Sequence, residues 1–167
     1  IIGPQMAPIH FELMEEAIRS EGYRFDILPS VREEDIEEGL KYVNNDSCYP
    51  AIIVIGQILN ALKSGKYDPD NTAILMPQTG GPCRASNYIS LLHAALRKNG
   101  FEKTPVVSLT LAKGEPNRFP LTPQLIKKAV MAMVYGDLLM QLIYQVRPYE
   151  LIPGSADSLL TLWLDRC

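Results

Sequence analysis

Two cysteines stand where a sulfur could do chemistry. Cys48 falls in Asn44-Asn45-Asp46-Ser47-Cys48-Tyr49-Pro50, and Cys83 in Gln78-Thr79-Gly80-Gly81-Pro82-Cys83-Arg84. Each stretch runs into an apolar-periodic segment, so each thiol is expected at the start of a helix. The unsatisfied N–H groups and partial positive charge of a helix N-terminus favour the thiolate. Arg84 adds a fixed positive charge, and Gly80 and Gly81 let backbone amides come close to an anion. Such surroundings suit thiolate metal ligands or a single nucleophile. The competing reading is that each cysteine is a small buried hydrophobe. Neither belongs to a C-x-x-C pair, two thiolates do not complete a four-ligand site, and Cys167 is a third sulfur at the chain end.

The loop from Thr79 to Asn87 has another use. It is glycine-rich, follows a strand and opens a helix, which suits a phosphate or CoA contact. It lacks the lysine and spacing of a P-loop, and its arginine directly follows the cysteine, unlike that of a cysteine phosphatase. His10 and His93 show no neighbour that would make a triad, and read as surface or satisfied core histidines. Glu33, Glu34, Asp35, Glu37 and Glu38 form a dense acidic run, read as a solvated helix face. Asp68 and Asp70 read as turn formers, without the later positions of a calcium loop. Met131, Met133 and Met140 read as core filler or a docking face. Asp137 sits in the same apolar helix and needs a partner that the sequence does not name.

These residues must be held by a scaffold, and the composition bounds it. The chain has 167 residues, 47% of them apolar and 21% charged. That is enough for one domain with a core, or two small lobes, and is not the composition of a disordered chain. The net charge is −3, so no nucleic-acid partner is expected. No apolar run approaches the roughly 20 residues of a membrane span, so no membrane partner is expected. Three widely spaced cysteines and the lack of a signal peptide fit a reducing, cytoplasmic setting. The chain opens on Ile1-Ile2-Gly3-Pro4 and ends on Trp163-Leu164-Asp165-Arg166-Cys167, still in helical pattern. Both ends read as cut, which makes residues 1–167 a single α/β domain or a fragment of a longer multidomain chain. A subdivision is placed near 110–121, before the C-terminal helices.

Periodicity supplies the elements. Apolar spacing predicts helices over His10–Ser20, Glu33–Leu40 (with Ser30 as a candidate cap), Pro50–Leu62 and about Arg84–Lys98. A long apolar helix follows the Thr122-Pro123 cap and runs to about Val146, with a short one near 156–165. Strands are expected at Ile1-Ile2, Tyr23–Leu28, Thr72–Met76 and Val106–Leu109, with a weaker one at Lys41–Asn44. Short strands alternating with helices imply a doubly wound, mainly parallel sheet flanked by helices, Rossmann-like, with the long apolar helix near the C-terminus. Ligands in such folds sit beyond the carboxyl ends of the strands. That points to the loops at 3–8, 44–49, 77–84 and 110–120.

Three stretches occur together: Asn44 to Ala51, Gln78 to Tyr88, and Tyr135-Gly136-Asp137-Leu138. In them the chain resembles the C-terminal, dehydratase-like region of the large 2-hydroxyacyl-CoA dehydratase activators, the CoA-substrate-specific enzyme activases of anaerobic bacteria. The resemblance covers nearly the whole chain. It implies an iron–sulfur-associated module, with Cys48 and Cys83 as metal ligands of a cluster of the [4Fe–4S] type and Gly80, Gly81, Arg84 and Asn87 beside it. It implies as partners the remaining domains of the parent chain and the 2-hydroxyacyl-CoA dehydratase, to which an electron is delivered at low potential. The ATPase motifs of the family are not in this chain, so the chain itself is not expected to hydrolyse ATP. Two alternatives stand beside this: a non-catalytic α/β interaction domain with structural cysteines, and a CoA- or phosphate-binding domain.

Overall fold

Short β-rich apolar stretches separated by helical ones set the architecture. The computed structural model describes residues 1–29, 31–78, 87–110 and 117–166. Four strands, β1 (Ile2–Gly3), β2 (Asp26–Ile27), β3 (Ile74–Pro77) and β4 (Val106–Leu109), form one sheet in the order β2-β1-β3-β4. All its pairings are parallel, with Ile2 opposite both Asp26 and Ile74, and Ile74 opposite Val106. The helices are α1 (Pro8–Arg19), α2 (Glu33–Leu40), α3 (Tyr49–Lys63), α4 (Tyr88–Lys98), α5 (Pro123–Val146) and α6 (Ser155–Leu164), with a 3-10 turn at Arg147–Tyr149. The protein is thus an α/β fold with a parallel sheet, flanking helices and one long apolar helix.

The chain divides into two compact units. The first comprises Ile1–Met6 and Phe25–Pro120, and the second Ala7–Arg24 and Leu121–Cys167. In the first unit, register puts Ile2, Ile74, Met76 and Val106 on one face of the sheet, because side chains alternate along a strand. These join Ile55, Ile58 and Leu59 of α3 and Leu92 and Leu96 of α4 in one buried cluster. Helix α3 is apolar nearly all round because it is buried nearly all round: Ala51, Ile52, Val54, Ile55, Gly56, Gln57, Ile58, Leu59 and Leu62 are inaccessible. Gly56 is the reason α2 can lie so close to it. A Cβ there would meet the Asp35 carbonyl oxygen at 1.7 Å.

That close packing overturns the solvated reading of the acidic run. Glu33, Glu34 and Glu37 are exposed, but Asp35 and Glu38 are buried, at 3% and 6% exposure. Each has found partners, as a buried carboxylate must. Asp35 accepts from Asn60 Nδ2 at 2.8 Å and from the Arg32 backbone N–H at 3.0 Å. Glu38 accepts from Lys41 Nζ at 2.8 Å and from Lys63 Nζ at 2.5 Å.

One other expectation changes. Lys41–Asn44 is not a strand but the turn that ends α2, with the Tyr42 and Val43 amides both donating to the Gly39 carbonyl. Near the loop at 110–120, Arg118 makes an isolated parallel bridge with Ser108, and the Ser108 amide donates to the Asn117 carbonyl at 2.7 Å. Residues 111–116 and the Ser30 cap lie outside the described residues.

In the second unit α1 packs along α5, and Thr122 caps α5, its hydroxyl accepting from the Leu125 amide at 3.0 Å. The buried positions of α5, at Leu125, Ala132, Gly136 and Ile143, recur at sevens and fours on one stripe. Apart from half-buried Lys128, Ala129, Leu139 and Met140, the rest of the helix is exposed. Continued through the 3-10 turn, the segment Pro123–Tyr149 is long and apolar enough to cross a membrane by length and composition, and 17% of its apolar window is buried. This corrects the expectation that no segment approaches that length. Lys127, Lys128 and Asp137 interrupt an unbroken apolar run, but they are too few to lower the helix-long average.

Candidate functional site

The site residues taken from the sequence divide sharply. Gly80, Gly81, Cys83 and Arg84 lie outside the described residues, as does Cys167. Cys48 and Asn87 are described, both in the first unit. Asn87 is exposed and occupies the residue before α4, with φ −105° and ψ 0°, and its side chain makes no capping hydrogen bond.

Cys48 takes the corresponding position before α3. The sequence builds this position locally. Asn44 turns the chain by accepting the Asp46 amide on its side chain at 3.0 Å, and its carbonyl accepts the Ser47 amide at 2.9 Å. Cys48 is then extended, with φ −62° and ψ 137°, and its carbonyl accepts the Ala51 amide at 3.0 Å. Pro50 follows in the first turn, where a missing N–H costs nothing. The thiol makes no capping bond to the helix. It is a free cysteine, half-buried against the apolar cluster.

What the thiol does meet is Tyr88. Cys48 Sγ lies 3.0 Å from Tyr88 Oη, and either group can donate. Tyr88 is the first residue of α4 and is only 4% exposed, packed in the core cluster. The contact therefore brings the starts of α3 and α4 together, although the two residues are 40 positions apart. Tyr88 stands five residues beyond Cys83 in the sequence. No protein-family model, curated protein or solved structure matches the chain.

The chemistry available at this point is one accessible sulfur beside a phenol at the convergence of two helix starts. Among the described residues no group of three or more His, Cys, Asp or Glu is placed to hold a metal ion. Sequence reasoning did not single out Tyr88 as the neighbour of Cys48. The motif contains it, but nothing local links it to a residue so distant in the chain.

The histidines resolve separately. His93 is exposed on α4. His10, in the second unit, supplies the partner that Asp137 lacked: His10 Nε2 lies 2.9 Å from Asp137 Oδ1. Gly136 makes room for the imidazole, since a Cβ there would come within 2.5 Å of His10 Cδ2. The pair ties α1 to α5. Two carboxylates make further fastenings. The Lys128 ammonium against Glu21, at 2.6 Å, holds that carboxyl below the usual range. The Gly154 and Ala156 amides do the same for Glu150, which thereby caps α6.

Proposed function

We propose that the chain is an iron–sulfur-associated module of a protein related to the 2-hydroxyacyl-CoA dehydratase activators, supporting low-potential electron transfer to acyl-CoA dehydration. The observation that carries this reading is the Cys48–Tyr88 contact. It sets one candidate ligand beside the helix that the Cys83 loop opens. The strand order β2-β1-β3-β4 supports a doubly wound, Rossmann-like arrangement, whose ligand site lies beyond the carboxyl ends of the strands where the order reverses. That reversal falls between β1 and β3, and β3 runs into the segment that contains Gly80, Gly81, Cys83 and Arg84.

Cys48 suits one ligand position: it is free, half-buried and at a helix start. The described residues offer no further thiolate, so Cys83 and donors beyond them complete the set in this proposal. When bound, the cluster, [4Fe–4S] by the resemblance, supplies one-electron chemistry at low potential. The chain's own residues do the holding. Cys48 presents the sulfur, the Tyr88 hydroxyl can donate to it and the apolar cluster beneath excludes water from one side; by the resemblance, Gly80, Gly81, Arg84 and Asn87 would supply amides, positive charge and a polar group beside the cluster. The proposed partners are the remaining domains of a longer chain and the dehydratase, in the cytoplasm.

Anaerobic reconstitution with iron and sulfide, followed by iron quantification and visible absorption, tests this. The wild type is expected to take up iron and turn brown, and Cys48→Ala and Cys83→Ala to lose both signals. Iron content unchanged in either variant defeats the proposal.

A second reading has its own observation. On the open side of α5, Val130, Met133, Val134 and Tyr144 are more than half exposed. That is the surface of a non-catalytic α/β interaction domain, with the cysteines as structural residues.

A further inference from the structure

We draw no further inference here: the strongest candidate, the apolar groove between α5 and α6 in the second unit, lined by Leu138, Leu142, Leu159 and Trp163 among others, carries nothing because nothing in the structure shows what covers it.

Discussion

Cys48 and Tyr88 are tied by a single contact, and its energy can be isolated. The phenol is buried and the sulfur half-buried, so removing either group loses the contact between them. A net hydrogen bond of this kind contributes about 0.5–1.5 kcal/mol. A double-mutant cycle of Cys48→Ala and Tyr88→Phe, followed by chemical denaturation of the four proteins, should return a coupling of about 0.5–1 kcal/mol. Additive single effects would show that the two groups are adjacent without being bonded. The same residue-scale logic separates the acidic run. Its five members look alike in sequence, yet two are buried with named partners and three are not. Which ones are buried was decided by where α3 places Asn60 and Lys63, and no local pattern could say.

Between elements, the α2–α3 contact depends on the lack of a side chain at position 56. The would-be Cβ lies far inside contact distance of backbone, not of a side chain that could swing away. Gly56→Ala must therefore push the two helices apart, and should cost about 3 kcal/mol or more despite alanine's better helix propensity. Thermal unfolding of the variant measures this, and a stabilised variant would show that the helices are not so close in solution. Helix limits were legible because their causes are local. Pro50 and the Thr122-Pro123 pair mark starts, apolar spacing marks faces, and Val106–Leu109 has enough β-branched character to be read as a strand. Lys41–Asn44 failed because an alternating tetrapeptide looks the same in a strand and in the turn after a helix. The length of α5 was legible too, and its apolar residues read as core filler or a docking face; the choice between these needed the structure, which leaves most of them exposed.

For the molecule as a whole, acid should weaken the fold. Burial pushes the Glu38 carboxyl up, but the Lys41 and Lys63 ammonium groups together outweigh it and hold the carboxyl below its ordinary value of 4.5. Glu21 and Glu150 are lowered in the same direction, by Lys128 and by the α6 amides respectively. Folded values below the unfolded ones mean that the native state takes up protons less readily. The stabilisation is therefore complete above about pH 4.5 and is lost as pH falls through the folded values. Glu12 runs the other way, raised by its own burial and then by Glu15 and Asp165, so it favours the folded state slightly as pH drops. Glu38, the buried member of the lowered group, is expected to set the direction, a loss in acid. Urea denaturation at pH 7 and at pH 4 should show lower stability at pH 4, and Glu38→Gln should make that difference smaller. A variant with the wild-type difference would remove Glu38 from the account.

The amino-acid sequence alone determined what neighbouring residues settle among themselves: the alternation of short strands with helices, the parallel sheet that this alternation demands, the start of α3 just beyond Cys48, and the extent of α5. Tertiary structure alone decided the pairings across long stretches of chain. Tyr88 rests on Cys48, His10 on Asp137 beside Gly136, Lys63 on Glu38, and the apolar stripe of α5 is left open. The reason is range: turn, cap and periodicity act over a few residues, while a partner tens of residues away is chosen by the packing of whole elements.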